Sequence, residues 1–580
     1  IVACGTVTAQ SISRYRIPKA SEVDLQNLPV DYNDVFQHLA APKPGNPLPK
    51  DKLDAYYDWV AQRRAEQPKA FTRSANKTTN TIAVDEQFQG NVFNNSLPND
   101  NDLAVSNNSQ VLSVTNTRVC VFDSVGGFET IASLETFGAD VGPLTRSYDP
   151  RCLYDPQSDR FIIVFLEGSL DSTSKVVVGF SQTNDAAGPW NLYTLPGNPQ
   201  DNGTWSDFPT ISLSKQDLFI ALNTFTNNSV NDTGFVETVF WQVGLQEGYA
   251  GDSLVSLYHN NLYYNGTDTL FNVCPVRGER LPLDQKMYLL GNRLKTTGSD
   301  SIYVITVHGS ANDAIDPQVS WDLVNMPIDY RQPAPARQLQ GRFLDTNDGR
   351  VQGAVYHEGK LHFVSNTLDT ASMNTAVYYG EIDLDNMTGL TATNIVDTEN
   401  DIAYPDITIE RYTTGNRLFV SYLNSNDSVP PGHGLIHFPE GESENYELFP
   451  LFTGLGSLAL QFGDTERWGD YTGIVRDYAI PGGVWLAGSY GDDNNQNQTR
   501  ITRLRWEDEA LGTSEQFTPK NTLSIRPNPV QEKLTIDFEL PQTGYYEATI
   551  LNLNGQVVRR VWADKLKAGT NRYSFNVDAM

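Results

Sequence analysis

A recurring pair of short β-rich runs is the feature that most constrains the fold of this 580-residue chain. In each copy a polar or aspartate-led run is followed by a turn and then by a more apolar run. Clear copies are Asp149–Asp155 with Arg160–Phe165, and Asp207–Leu213 with Asp217–Leu222. All of the copies, strong and weak, begin near residues 102, 149, 207, 281, 351, 404 and 470.

The spacing of these copies predicts an all-β propeller. Steps of about 47 to 75 residues accommodate a four-stranded sheet with its loops. A solenoid has shorter and more regular repeats, and a sandwich does not repeat its inner strand this often. We therefore predict about seven blades between residues 81 and 506. An early strand at Thr81–Phe88 is expected to complete the last blade, because ring closure removes the free sheet edges.

The first 80 residues differ in composition from the repeats. Ile1–Ala9 is similar to the end of a signal peptide. The alternative is a lipobox that would acylate Cys4, and the sequence leaves this open. Residues 10–80 are predicted to be a proline-punctuated linker, interrupted by one amphipathic helix over Lys50–Gln67.

Charge narrows the range of partners. The 70 Asp+Glu exceed the 42 Lys+Arg and give a formal net charge of -28, which repels phosphate backbones and argues against nucleic acid. No apolar run reaches about 18 residues, so no transmembrane segment is predicted. Ca²⁺ is the one cofactor that the acidic turns suggest, although bare polar turns are the alternative. The candidate ligands are Asp345, Asn347, Asp348, Asp383 and Asp385.

The four cysteines are too widely spaced for a zinc ribbon or a redox pair. In an oxidising compartment Cys120 and Cys152 are candidates for a disulfide between neighbouring sheets. Two buried free thiols are the equally open alternative.

Charged and aromatic residues near the starts of the repeats are candidate ligand-binding residues. If the repeats align as blades, these side chains meet at one mouth of the central channel, where arginines and aromatic rings suit a carbohydrate or peptide. Paired carboxylates there would alternatively cleave glycosidic bonds, and turn capping is the structural alternative. The candidates are Asp149, Arg151, Asp207, Tyr404, Asp406, Arg467, Trp468, Asp470 and Tyr471.

The composition changes again near the C-terminus. A polar linker at 507–520 precedes a compact alternating β pattern at 521–580, which predicts a small β-sandwich. Pro527, Asn528 and Pro529 fix the entry of the chain, and Asn554 with Gly555 makes a tight hairpin turn.

Together these two motifs resemble the C-terminal sorting domain (type A) of proteins exported by the type IX (Por) secretion system. The resemblance covers about 60 residues and lacks the glycine-led last strand of the family, so a truncated domain is expected. It implies the secretion machinery as a partner, export across the outer membrane, and release or anchoring at the cell surface.

Two segments of the repeat region, Ser181–Trp190 and Arg467–Gly473, resemble secreted sialidase-like (BNR-type) bacterial propellers. The first is a loosened Asp-box, a turn in which an aspartate caps backbone amides and a tryptophan packs between strands, and it implies a structural role.

The function that the sequence favours is recognition or adhesion at the cell exterior, with a surface glycan or protein as ligand. A secreted carbohydrate-active hydrolase or lyase that uses the channel carboxylates is the first alternative. A structural subunit of a surface layer is the second. No metalloprotease, nucleophile-elbow or nucleotide-binding motif is present, so the sequence leans against an enzyme without deciding it.

Overall fold

The computed structural model describes most of the repeat region and parts of both ends. The described residues are 10–29, 39–40, 42, 46–66, 82–227, 234–265, 268–284, 286–412, 415–438, 445–461, 463–506, 523–526, 533–540, 544–551, 557–567 and 569–576. The proposed signal remnant with Cys4 lies outside them, as do the 507–520 linker and all five sorting-motif residues, Pro527, Asn528, Pro529, Asn554 and Gly555.

Antiparallel sheets of four or five strands dominate the region between residues 82 and 506. We number seven of them along the chain by their first strands. Sheet 1 contains Asp102–Val105, Val111–Thr115, Arg118–Phe122 and Phe128–Ser133. Sheet 2 contains Ser147–Asp155, Arg160–Glu167, Lys175–Ser181 and Pro189–Pro196. Sheet 3 contains Thr204–Leu213, Asp217–Thr226, Phe235–Gly244 and Leu254–Asn260.

The remaining sheets repeat this order. Sheet 4 contains Cys274–Pro275, Lys286–Asn292, Gly298–His308 and Gln318–Arg331. Sheet 5 contains Val351–His357, Lys360–Leu368, Thr375–Asp383 and Thr388–Ile395. Sheet 6 contains Asp401–Tyr412, Gly415–Ser425, Gly432–Phe438 and Glu447–Phe452. Sheet 7 contains Gly473–Arg476, Gly483–Gly491, Asn497–Trp506 and the early strand Ile82–Gln89.

The sheets form a closed ring around a channel, which confirms the predicted all-β propeller. Each first strand contacts the first strand of the next sheet, and the first strand of sheet 7 contacts that of sheet 1. Apolar clusters fill the spaces between neighbouring sheets. One of them joins Leu103 and Val105 of sheet 1 to Trp485 and Ile501 of sheet 7.

The predicted closing strand is confirmed. Ile82–Gln89 pairs antiparallel with Asn497–Trp506, so the fourth strand of sheet 7 comes from the start of the chain. Phe88 packs against Trp485 in its own sheet and against Phe122 in sheet 1. The closing strand therefore covers the edge of the third strand of sheet 7, and Phe88 adds an aromatic contact across the seam to sheet 1.

The prediction of a linker is wrong for residues 11–24. Ser11–Ile17 pairs with Leu254–Asn260 as a fifth strand of sheet 3, and Ser21–Asp24 pairs with Pro189–Pro196 as a fifth strand of sheet 2. Only Ile17 and Val23 of these strands are buried apolar residues, because the strands lie at the outer edges of their sheets.

The predicted helix is confirmed and spans Lys50–Glu66. It packs Tyr56 and Val60 against Leu368 and Met373 between the sheets. Shorter helices span Leu134–Phe137 and Leu245–Ala250, and 3-10 turns span Leu25–Asn27, Ala139–Val141 and Leu339–Gly341.

Short strands outside the sheets complete the secondary structure of the propeller region. They are Leu39–Ala40, Ser96–Leu97, Tyr263–Tyr264, Asp268–Thr269, Ala336–Arg337, Phe343–Asp345 and Thr465–Arg467.

The predicted disulfide between Cys120 and Cys152 is not formed. Both thiols are buried and free. The Cys120 Sγ lies 2.7 Å from Asn91 Oδ1, while Cys152 Sγ faces the Leu112 carbonyl at 3.8 Å. Burial raises the pKa of Cys120 to about 12, so its thiol stays protonated.

The C-terminal module is β-structured, as predicted. Leu523–Arg526, Lys533–Leu540 and Gly569–Asn576 form one sheet, and Gly544–Leu551 pairs with Val557–Leu566 in a hairpin. Among the described residues, no helix is long and apolar enough to cross a membrane.

Candidate functional site

Left-handed backbone residues stand at the starts of most first strands, at one end of the channel. Asp149, Phe208 and Tyr404 have φ of 50°, 54° and 54°, and each precedes a proline. In each of these three strands the left-handed residue and its proline form a β-bulge. Proline disfavours the right-handed helical conformation of the residue before it, and the bulge turns the preceding side chains toward the channel.

Side chains from the preceding sheet hold this strained backbone in place. Asn116 Oδ1 accepts the Asp149 amide at 2.7 Å, and Asn366 Oδ1 accepts the Tyr404 amide at 2.7 Å. Left-handed conformations of non-glycine residues persist only where the surroundings fix them. The channel mouth is therefore a rigid, preorganised part of the ring.

Four aspartates meet at this mouth. Carboxylate oxygens of Asp100, Asp149 and Asp470 all lie within 4.8 Å of one another. Asp207 borders the same space, and Arg467 donates from Nη2 to Asp470 Oδ2 at 2.8 Å. All five side chains belong to residues that are at most 9 % exposed. We call these four aspartates with Arg467 the acid cluster.

The acid cluster carries more buried negative than positive charge. Burial, followed by repulsion from Asp470, raises the pKa of Asp149 to about 7. Burial and the neighbouring aspartates also hold the pKa values of Asp100 and Asp207 well above their ordinary range. The nearby Arg350 is already committed, because it forms a two-point ion pair with Asp348 at 2.8 and 2.7 Å.

Asp149→Asn is expected to gain stability relative to the wild type as pH rises. The raised pKa of Asp149 means that its stabilising protonated form is lost as pH rises from about 4 through about 7, whereas asparagine does not titrate. The measurement is urea unfolding of both proteins at pH 5 and pH 8 in chelator-treated buffer. The prediction would be refuted if the difference in free energy of unfolding between Asp149→Asn and the wild type were the same at pH 5 and at pH 8. Asp383→Asn, at a turn near the surface, is the matched control.

A second space, the channel cavity, lies inside the ring beyond the bulges. It has a volume of about 110 Å³ and is lined by the first strands of all seven sheets. Four arginines and three carboxylates line it: Arg151, Arg277, Arg280, Arg476, Asp102, Glu279 and Asp406. Glu410 stands behind them, accepting from Arg280 Nη2 and Arg476 Nε, each at 2.8 Å.

Asp406 is not in the acid cluster, contrary to the prediction. It lines the channel cavity, pairs with Arg277, and accepts the amides of Ile407 and Ile474. Asp102 in sheet 1 makes the same backbone contacts, because it accepts the amides of Leu103 and of Cys152 in sheet 2. Each of these carboxylates therefore links two neighbouring sheets through backbone donors.

The predicted aromatic residues pack inside the wall. Tyr404 and Trp468 form an edge-to-face pair with ring centroids 6.0 Å apart, and the Tyr404 hydroxyl donates to the Asp345 carbonyl. Tyr471 lies under Arg151, whose guanidinium carbon is 3.2 Å from the ring centroid. These three rings support the mouth, and each is at most 2 % exposed.

The turns predicted to bind Ca²⁺ make internal contacts, and their role as Ca²⁺ ligands stays a prediction. Asp348 is held by Arg350, and Asp345 Oδ1 accepts the Asn347 amide. Asn347 Nδ2 in turn reaches Asp470 Oδ1 at 3.2 Å, so this turn braces the acid cluster. Asp383 Oδ1 accepts the amide of Asp385 in a separate turn near the surface.

Ser181–Trp190 has the structural role that its resemblance to an Asp-box implies. Asp185 Oδ1 accepts the Ala187 amide at 3.0 Å, and Trp190 Nε1 donates to the Ala186 carbonyl at 2.9 Å. Trp190 is fully buried beside Phe137.

The sequence analysis did not identify Asp100 or three of the four cavity arginines, Arg277, Arg280 and Arg476. Asp100 precedes one of the two weaker repeats, and Arg277 and Arg280 follow the shortest first strand, Cys274–Pro275. The fourth repeat was placed near Leu281, which lies in the loop after that strand. The signal for Asp100 was its position two residues before Asp102, which matches the spacing of Asp149 and Arg151.

The C-terminal module has a clear relative. Residues 524–580 match the family model described as "Secretion system C-terminal sorting domain". The module is such a sorting domain. It marks the chain for export by the type IX secretion system to the cell surface or the extracellular space, as the motifs predicted.

Solved structures similar to this chain are distant. A protein of unknown function from Dyadobacter fermentans shares 11% identity at a TM-score of 0.38, covering 62% of this chain and 94% of that one. A mutant Trypanosoma rangeli sialidase shares 11% identity at a TM-score of 0.34, and the match covers 67% of this chain and 57% of that one. An endo-arabinase from Bacteroides thetaiotaomicron shares 13% identity at a TM-score of 0.28, and the match covers 53% of this chain and 95% of that one. No curated protein matches the sequence.

Proposed function

We propose that this exported propeller is a binding protein whose channel cavity accepts one acidic group of an extracellular glycan or protein ligand. The observation that carries the proposal is the cavity wall, in which four arginines line a space of about 110 Å³, although the guanidinium of one of them, Arg151, lies on the Tyr471 ring. Arginine offers a planar fork of N–H donors that matches a carboxylate.

Hydrogen-bonding capacity in the cavity favours an acceptor-rich ligand. The carboxylates are engaged by protein donors: Asp102 and Asp406 by backbone amides, Glu279 by His357, and Glu410 by two arginines. Part of the arginine donors is engaged as well, because Arg277 donates to the Ile407 and Ile474 carbonyls and Arg476 to the Glu279 and Ile409 carbonyls. Each guanidinium carries five N–H groups, which is more than these contacts of Arg277 and Arg476 use. The side chains of Arg277 and Arg280 keep 23% and 16% exposure and are accessible from the cavity.

The size of both spaces argues for recognition rather than cleavage. Pockets that enclose whole ligands commonly have volumes of about 300–1,000 Å³, so the channel cavity suits a single group. The cavity at the acid cluster has a volume of about 20 Å³, which leaves no room for a glycosidic bond. Hydrolysis needs two carboxylates on either side of a bound sugar, about 5 to 10 Å apart.

Binding of glucuronate by the full chain, with glucose as the neutral comparison, tests this proposal by calorimetry. Arg280→Met is expected to weaken glucuronate binding about tenfold or more, because a charge-assisted hydrogen bond contributes about 1.5–3 kcal/mol. Glu410 keeps its bond to Arg476 in this variant. Arg293→Met, at an exposed ion pair with Asp268, is the matched control.

The same protein is incubated with acidic and neutral polysaccharides, and released sugars are measured. Equal affinity for glucuronate and glucose, or an undiminished affinity in Arg280→Met, would overturn the channel assignment. Sugar release that is lost in Asp406→Asn would establish the hydrolase alternative.

A further inference from the structure

The acid cluster has the geometry of a cation site. Its three closest carboxylates offer one oxygen each, and these oxygens lie within 4.8 Å of one another. Ca²⁺ binds oxygens at about 2.3–2.6 Å, so two ligands on opposite sides of one ion are separated by roughly 4.8 Å. One Ca²⁺ therefore fits among the oxygens of Asp100, Asp149 and Asp470.

The excess of buried carboxylates in the acid cluster is the reason to expect a bound cation there. Four aspartates are buried at this mouth, and Arg467 donates to one of them, Asp470. Arg350 is paired with Asp348, and the Arg151 guanidinium lies on the Tyr471 ring. Buried carboxylates without matching positive charge need a proton or a bound cation.

Asp207 provides an independent observation. Its Oδ1 is inaccessible to solvent and has no hydrogen-bond partner among the described residues, and the residue is 5% exposed. It borders a cavity of about 20 Å³ that Asp470, Arg467 and Arg350 also line, and Asp470 is the residue that this cavity shares with the three closest carboxylates. That volume holds one ion or one water molecule.

We propose that Asp100, Asp149 and Asp470 bind one Ca²⁺ at the channel mouth, with the buried carboxylate of Asp207 as a further negative charge beside the site. The donors are all oxygens, which suits a hard cation, and no thiol or imidazole belongs to the group. Mg²⁺ binds oxygens at shorter distances, about 2.0–2.1 Å, and gives up its water ligands reluctantly, so a buried group of carboxylates suits Ca²⁺ better.

The position of the ion gives it a mechanical role. Asp100 immediately precedes sheet 1 and Asp470 precedes sheet 7, while Asp149 lies in sheet 2. The Asp470 amide already donates to Asp100 Oδ1 at 2.7 Å across the seam. Ca²⁺ at this point ties the last sheet to the first, at the end of the ring away from the channel arginines, and does not depend on the proposed ligand binding.

Calcium titration of the full chain, after chelator treatment, tests the site. Calorimetry is expected to show that the wild type binds one Ca²⁺ per chain and that Asp149→Asn binds none. The unfolding temperature of the wild type is expected to rise with Ca²⁺ and to rise less with Mg²⁺. Asp207→Asn keeps the three closest ligands and is expected to weaken binding about tenfold. Asp383→Asn, in a separate turn near the surface, is expected to bind Ca²⁺ with the affinity of the wild type.

The outcomes separate the possibilities. No Ca²⁺-dependent rise in unfolding temperature in the wild type would overturn the proposal, as would an equal rise in Asp149→Asn. If Asp149→Asn does not fold, the other two variants decide. Ca²⁺ affinity equal to the wild type in Asp207→Asn, together with loss of Ca²⁺ binding in Asp383→Asn, would assign the ion to a site other than the acid cluster. Glucuronate binding that survives in Ca²⁺-free protein leaves the proposed function intact whatever the fate of the ion.

Discussion

Arg467→Met is expected to lower the free energy of unfolding by about 3–5 kcal/mol in chelator-treated buffer. Arg467 is 7% exposed and donates to Asp470, and its charge also lies next to Asp100 and Asp149. Methionine fills similar space but leaves these buried carboxylates without their cation. Denaturant unfolding monitored by tryptophan fluorescence measures the change.

Arg293→Met is the matched control, because it removes an arginine from an ion pair whose side chains are 45% and 31% exposed. Its expected cost is at most about 1 kcal/mol. If Arg467→Met costs no more than this control, the buried charges of the acid cluster are balanced by something other than Arg467.

Removal of residues 521–580 is expected to stop export almost completely. The sorting domain is an address that the secretion machinery reads, and the propeller carries a separate core. In a host with a type IX secretion system, immunoblots of medium, surface and periplasm measure the distribution. The truncated protein is expected in the periplasm, with the full chain outside.

Thermal unfolding of the truncated protein controls for a folding defect, since the propeller clusters lie outside the deleted residues. Attachment of residues 507–580 to an unrelated periplasmic protein provides the reverse control, and export of that fusion is expected. Equal amounts of truncated and full chain in the medium would show that the address lies elsewhere.

Periodicity made the overall fold predictable. The β-rich pairs, the early closing strand and the helix at Lys50–Glu66 all depend on local apolar patterns and turn residues, and all were found. The strands Ser11–Ile17 and Ser21–Asp24 were missed because outer-edge strands bury few side chains, so their composition is that of a linker.

The site was only partly predictable because it depends on how the repeats align. Aligning them by aspartate put Asp406 beside Asp149. The structure aligns them by the proline that follows the left-handed residue, which makes Asp406 the counterpart of Arg151. Of the predicted mouth residues, Asp149, Asp207, Arg467 and Asp470 come together, and their binding role remains a prediction.

Contacts between distant segments were beyond the sequence. Asp100 joins Asp470 across 370 positions of the chain, and no local pattern marks that pair. The two cysteines predicted as a disulfide have different neighbours for the same reason, since relative orientation across sheets is set by tertiary packing.

Amide hydrogen exchange of residues 82–89 tests the closed ring most directly. A ring closed by this strand predicts that the amides of residues 82–89 that bond to residues 497–506 exchange slowly, while the alternate amides, which face away from the sheet at its outer edge, exchange fast. Exchange of 82–89 at the unprotected rate, with residues 483–491 still protected, would contradict closure by this strand.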